Sequence, residues 1–107
     1  MTSIDIQRAT LASFLWADDL GLDTKDAFLL DPYVFDGDRR VIAHKINDTT
    51  QTEDRFYSLL NMRIQNEVPH EWMEISTYTP FSLERAKLYH DDLVRERNNK
   101  IISGAAA

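Results

Sequence analysis

Cysteine is absent from the 107-residue chain, and glycine and proline occur only three times each. Without cysteine there can be no disulfide bridge, thiolate metal site or thiol nucleophile, which fits a reducing compartment. Three scattered glycines cannot form a phosphate-binding loop, and neither G-x-x-x-x-G-K-[ST] nor G-x-G-x-x-G occurs. No apolar run approaches the roughly 18 residues of a membrane span, and no secretory signal pattern opens the chain. We therefore expect a cytoplasmic protein without cofactor or membrane, and not an enzyme.

Basic residues are few relative to acidic ones. The chain has 12 lysines and arginines against 18 aspartates and glutamates, a formal net charge of -6. The first 54 residues hold 5 basic and 11 acidic side chains, whereas the remainder holds 7 of each. A polyphosphate would meet net repulsion, so no direct binding of nucleic acid is expected. The length and the ordinary hydrophobic content predict one globular domain.

The apolar residues recur mostly at spacings of three and four, which is the helical period. Ser3 is expected to cap the first helix, Gly21 to follow that helix in a left-handed conformation, and Thr52 to begin a later one. The predicted helices cover about 4–19, 23–30, 38–47, a segment from 52 onward, 70–75 and 83–102. No alternating β pattern occurs. The sequence therefore predicts an all-α protein, a small orthogonal bundle of about five to six helices with a long C-terminal helix.

The expected domain covers residues 1–107, with a globular head over about 4–80 and a long helix over about 82–103. The core is predicted from the inward stripe of each helix. Its expected members are Leu11, Phe14, Leu15, Phe35, Ile42, Phe56, Leu60, Ile75 and Leu93.

Two motifs near residue 70 bear on metal binding. The segment His70–Glu74 begins like a zincin helix, but Glu74 stands where the second histidine is required. Glu67 and His70 have the spacing of a di-iron motif, but such sites need two copies and further glutamates, and Pro69 interrupts the turn. We interpret these residues as the surface of a helix start, and expect no metal site.

Paired carboxylates occur at Asp18–Asp19, Asp36/Asp38 and Asp91–Asp92. Acid-base catalysis would need one member of a pair to have a raised pKa. Neighbouring aspartates on a helix point in different directions, so solvated caps and faces are the expected role. His44 and His90 lack a metal-ligand pattern and are expected to be exposed or half-buried. A small carboxylate-dependent metal hydrolase remains an alternative from a different functional class.

Several short segments, taken in order, resemble the N-terminal domain of DnaB-type replicative helicases. The segment Trp72–Pro80, then Tyr89 and the segment Leu93–Arg97, is similar to the family's Ser-x-x-Thr-Pro step, helix tyrosine and Val-Arg-Glu-Arg run. Upstream, Val34–Ile42 resembles an aromatic loop end that leads into a helix with an arginine and an apolar pair. Ala9–Leu15 is similar to the family's first helix. The resemblance covers about residues 4–102.

The resemblance implies a non-catalytic role in DNA replication. In that family the domain forms a collar above the hexameric motor, supports ring assembly and helps to dock primase or a helicase loader. The helicase-binding domain of a primase, or a phage adaptor that mimics it, is the alternative within the same class. The resemblance also implies that the long helix is the first arm of a helical hairpin, as part of a longer helicase or in a separate related protein.

Aromatic residues and arginine are enriched in protein interfaces, and the aromatic-rich stretch from Trp72 to Phe81 is the candidate contact. Together with the long helix it defines an expected partner interface. Its members are Trp72, Tyr78, Phe81, Leu88, Leu93, Val94, Arg95, Arg97 and Ile101. We expect weak self-association of the chain alone, a dimer in the micromolar range, and a hexamer only in a full-length helicase.

Overall fold

The computed structural model of the chain describes residues 2–53 and 55–106, with side chains described up to residue 101. Within those ranges it holds five α-helices, two 3₁₀ turns and no β-strand, which confirms the predicted all-α architecture. The helices are α1 (Ser3–Leu15), α2 (Asp38–Thr50), α3 (Tyr57–Glu67), α4 (Pro69–Ser76) and α5 (Leu83–Ala106). The 3₁₀ turns, Thr24–Asp26 and Pro32–Val34, both lie between α1 and α2.

The N-cap of α1 is Thr2, not the predicted Ser3. The Thr2 hydroxyl accepts a hydrogen bond from the backbone N–H of Asp5, and the Asp5 carboxylate accepts one from the backbone N–H of Thr2. This capping box satisfies two donors of the first turn. The hydroxyl of Tyr78 donates to the same carboxylate. Mainly because of that hydrogen bond, the pKa of Asp5 is lowered to about 2.

α1 ends at Leu15, short of the predicted end at residue 19. Continuing the helix would place Asp18 and Asp19 at the negative end of its dipole. Instead, Asp18 Oδ2 accepts a hydrogen bond from the backbone N–H of Ser58 at 2.9 Å and so caps the first turn of α3. The intervening turn closes at Gly21, whose φ of 65° is the predicted left-handed conformation.

The helix predicted over 23–30 is wrong, because only a 3₁₀ turn over Thr24–Asp26 forms there. A side chain 17 residues away holds the backbone of Leu30. The N–H of Leu30 donates to Asn47 Oδ1 at 2.7 Å, and Asn47 Nδ2 donates to the Leu30 carbonyl at 2.8 Å. These bonds occupy the groups that a continuing helix would use, and α2 in turn extends to Thr50.

α3 begins at Tyr57, so the predicted start at Thr52 is wrong. The later start changes which side chains face inward. Tyr57 is fully buried, and its hydroxyl shares a hydrogen bond of 2.7 Å with Thr50 Oγ1. Phe56, expected in the core, is 56% exposed. The inward stripe of α3 is therefore Tyr57, Leu60 and Ile64, and the prediction for Phe56 is wrong.

α1 is the central helix: residues 9–15 are all buried, and α2, α3, α4 and α5 pack around them. Phe14 lies edge-on to Phe28 at 5.1 Å and to Tyr57 at 5.6 Å. The other predicted core residues are buried as expected, namely Leu11, Phe14, Leu15, Phe35, Ile42, Leu60, Ile75 and Leu93. Leu83 and Ala86 at the start of α5 are buried with them, so the first half of α5 belongs to the head.

Candidate interaction surfaces

The structure does not bring the nine predicted interface residues together on one surface. Leu93, named for both the core and the interface, is only 4% exposed, and Val94 packs against the core beside it. Leu88, Arg95 and Ile101 are exposed. Leu88 and Ile101 lie 13 residues apart, or about 140° around the helix. A single contact that used both would have to cover more than a third of the circumference of α5.

The predicted aromatic members have partners within the chain. Trp72 Nε1 donates a hydrogen bond to Asn61 Oδ1, and its ring lies 5.9 Å from that of Trp16. Tyr78 is bonded to Asp5. Phe81 contacts the ring of Tyr89 at 5.1 Å and lies below the guanidinium of Arg85. Trp72 and Tyr78 therefore hold α4 and the residues after it against the rest of the head, whereas Phe81 packs on the first turns of α5.

After Arg97, the part of α5 whose side chains the structure describes leaves the head. Four consecutive residues, Asn98 to Ile101, are all exposed, and four consecutive residues cover the full circumference of a helix. We call residues 98–101 the arm. At its base, Arg97 Nη1 pairs with Asp31 Oδ2, while the buried Arg97 Nε has no hydrogen-bond partner among the described residues. A cavity of about 140 Å³ between the arm base and the start of α1 is lined by Arg97, Lys100, Gln7 and Asp36, among others.

A buried polar network joins α1, α2 and α4. Gln7 is almost fully buried: its Nε2 donates to Asp36 Oδ2, and its Oε1 accepts from the backbone N–H of Asp36 and from Arg39 Nε. Glu71 lies between two arginines, 2.9 Å from Arg8 Nε and 3.4 Å from Arg39 Nη1. The hydrogen bond to Glu71 raises the pKa of Arg8. The oxygens of Gln7 and Glu71 each accept hydrogen bonds from donors on neighbouring elements. The network therefore fixes the positions of α1, α2 and α4 relative to one another.

The residues of the two metal motifs are engaged in other contacts or separated. Glu67 Oε2 pairs with Lys45 Nζ at 2.6 Å, Glu71 belongs to the buried network, and His70 is exposed. In the described part of the chain, no group of three or more histidine, aspartate or glutamate side chains is placed to hold a metal ion. Asp36 accepts a hydrogen bond from Gln7, as described above, and Asp38, two residues later, is exposed in the first turn of α2.

His90 is buried, contrary to the expectation of an exposed or half-buried side chain. It is 6% exposed, and its ring lies 5.3 Å from that of Phe28 and 6.4 Å from that of Phe35. Its Nε2 accepts a hydrogen bond from the backbone N–H of Asp31 at 2.8 Å. Burial lowers the pKa of His90. Since Nε2 is an acceptor, the neutral ring carries its proton on Nδ1.

A groove between α2 and α3 is the surface that the sequence interpretation missed. Asp48 and Thr49 of α2 line it on one side, and Leu59, Leu60 and Arg63 of α3 line it on the other. Phe56 and Leu59 are each 56% exposed there. The signal in the sequence was the spacing of three between Phe56 and Leu59, offset by one residue from the inward pair Tyr57 and Leu60.

Comparison of the chain with models of protein families, with curated proteins and with solved structures gives no match. Among the described residues, none of the helices combines the length and apolar character needed to cross a lipid bilayer.

Proposed function

We propose that this chain is a non-catalytic protein-interaction domain in DNA replication, of the kind found at the N-terminus of DnaB-type replicative helicases. Its role there is to support ring assembly and to dock primase or a helicase loader. The arm is the observation that carries the proposal, because a helical segment that is exposed around its full circumference offers a surface for another chain. The resemblance in the sequence supplies the replication context.

The apolar stripe of α5 supports this role for the arm. Leu83, Ala86 and Leu93 follow one side of α5 and are buried in the head. Ile101 continues the same stripe, eight residues after Leu93, and is 60% exposed. A short helical segment that is exposed on all sides, such as the arm, is only marginally stable in water, because helices gain most of their stability from packing. A second chain that covers the arm would extend the core stripe beyond the head.

The test is sedimentation velocity of the full chain over a hundredfold concentration range, together with titration against the primase and the loader of the same organism. We expect a micromolar monomer-dimer equilibrium and micromolar binding to one of the two proteins. Ile101→Asp should weaken both contacts at least tenfold. Leu20→Asp is the matched control, since Leu20 is 56% exposed, close to the value for Ile101, but lies in the turn after α1.

A monomer at every concentration, with no binding to either protein, would contradict the proposal, and so would a stable hexamer of this chain alone at the lowest concentration. Binding to the helicase ring instead of to primase would favour the alternative, a primase-type helicase-binding domain or its mimic. We also expect no ATP turnover, and no binding of an oligonucleotide below the micromolar range at about 150 mM salt.

A further inference from the structure

α3 has an apolar surface on its outer side as well as in the core. Leu60 is 6% exposed and forms part of the core, whereas Phe56 and Leu59 are each more than half exposed. These two side chains and the edge of Leu60 lie along the groove between α2 and α3. Exposed apolar side chains clustered in a concave surface are typical of a contact site.

The groove has the length of a short helix. α2 and α3 run antiparallel: Lys45 pairs with Glu67 at one end, and Thr50 bonds to Tyr57 near the other. Phe56 and Glu67 are eleven residues apart, and at 1.5 Å per residue the groove is roughly 16 Å long, or about three helical turns. Both walls are helices whose backbone groups are already bonded internally. An extended peptide would therefore find no backbone partners along the described helical walls, whereas a helix brings its own hydrogen bonds.

The walls of the groove carry opposite charges that are not paired. Asp48 lies on the α2 side and Arg63 on the α3 side, and both line the same cavity. Neither side chain forms an ion pair or hydrogen bond with any residue that the structure describes. Lys45 and Glu67, at the end of the groove, are paired with each other. Among the described residues that line the groove, the unpaired charges are therefore one negative and one positive, on opposite sides of an apolar floor.

We propose that the groove between α2 and α3 binds an amphipathic helix of a partner protein. The apolar stripe of this helix contacts Phe56, Leu59 and Leu60. A basic side chain on one flank faces Asp48, and an acidic side chain on the other flank faces Arg63. This arrangement fixes the direction in which the helix lies, because reversing it would bring like charges together. The site lies on α2 and α3 and needs neither the arm nor a role in replication.

The probe for this site is a fluorescein-labelled synthetic helix of about fourteen residues, with leucines on one stripe, lysines on one flank and glutamates on the other. A peptide of the same composition with the leucines out of helical register is the control. Fluorescence anisotropy should give saturable binding of the probe with a Kd on the order of 10–100 μM, and at least tenfold weaker binding of the control.

Variants of the chain locate the contact. Leu59→Asp should weaken binding of the probe at least tenfold, while Met73→Asp, at an equally exposed position on α4, should leave it unchanged. Arg63→Glu should weaken binding severalfold, and a probe with lysine in place of its glutamates should restore it. Melting curves show whether each variant is folded, and Leu59→Ser replaces Leu59→Asp if the latter does not fold.

Equal binding of the probe to the parent chain and to Leu59→Asp would overturn the proposal, as would the absence of saturable binding. A dimer of the parent chain that Leu59→Asp dissociates, without binding of the probe, would also overturn it and would identify a second copy as the occupant. Ile101→Asp should bind the probe normally. Failure of the arm and failure of the groove are therefore distinguishable.

Discussion

His90 Nε2 accepts a hydrogen bond of 2.8 Å from the backbone N–H of Asp31. This bond holds the connection between α1 and α2 against α5. The bond requires a neutral ring, because a protonated imidazole has no acceptor nitrogen. Asp31 is held a second time through its carboxylate, which pairs with Arg97. Two turns of α5 thus clamp one residue of a connection that has little regular structure of its own.

The first prediction is that stability falls when His90 is protonated. The pKa of His90 in the folded chain lies below its ordinary value of 6.5 because the ring is buried. The unfolded chain then binds more protons, so stability rises with pH across this range. We expect neutral His90 to make its full contribution to the free energy of unfolding above about pH 6.5, and this contribution to be lost progressively at lower pH. Urea unfolding at a series of pH values from 7.5 to 5 measures it.

His90→Gln is the matched variant, since glutamine retains a side-chain acceptor but does not titrate. It should unfold with a weaker dependence on pH over this range. The other two histidines, His44 and His70, are exposed and remain in both chains. An identical dependence on pH in the parent and in His90→Gln would show that another group is responsible.

The second prediction concerns the buried carboxylate of Glu71. Glu71→Ala would leave Arg8 and Arg39 without their shared partner, and loss of a hydrogen-bonded charge between partly buried arginines should lower the free energy of unfolding by about 2–3 kcal/mol. Glu74→Ala is the control, because Glu74 contacts the same Arg8 at 3.9 Å but is half exposed. Glu74→Ala should lower the free energy of unfolding by no more than about 0.5 kcal/mol. Equal losses in urea unfolding would contradict this assignment of roles.

The third prediction compares two adjacent leucines of α3. Leu60 is buried and Leu59 is mostly exposed. Leu60→Ala should lower the free energy of unfolding by about 2–5 kcal/mol through lost packing and the cavity left behind. Leu59→Ala should change it by less than about 0.5 kcal/mol. Comparable losses for the two variants in thermal or urea unfolding would mean that α3 is rotated from the orientation described.

Local pattern predicted the fold class and most of the core, because the spacing of Leu11, Phe14 and Leu15 on one stripe depends only on the helical period. It failed where a distant side chain determines the backbone. The side chain of Asn47 bonds to the backbone of Leu30, where the sequence predicted a helix. Asp18, which follows α1, caps the first turn of α3. Contacts of this kind depend on the tertiary structure, and no local propensity reports them.

Of the two candidate surfaces, one could be predicted from local sequence pattern and the other could not. The exposure of residues 98–101 of α5 could be expected from the length of the predicted helix. The groove could not, because it required the correct start of α3: a helix that begins at Thr52 leaves Phe56 within its second turn, where the apolar pattern assigns it to the core. With the start at Tyr57, Phe56 becomes the N-cap and its side chain lies outside the inward stripe.

The last prediction concerns the carboxylate at the start of α1. The pKa of Asp5 is about 2, against an ordinary value of 3.8, chiefly because Tyr78 donates a hydrogen bond to it and secondly because Thr2 does. A depressed pKa in the folded chain stabilises the fold above pH 3.8, and this contribution is lost as the pH falls toward 2. Tyr78→Phe removes the principal donor. The pKa of Asp5 should then rise toward 3.8 but remain below it, since the capping box with Thr2 persists.

Titration followed by the ¹³C shift of the Asp5 carboxyl measures this pKa directly. Tyr89→Phe, which removes the hydroxyl of another half-buried tyrosine, should leave the pKa of Asp5 unchanged. A carboxyl that titrates near 3.8 in the parent chain, or identically in both variants, would mean that Tyr78 does not hold α4 to the start of α1 through Asp5.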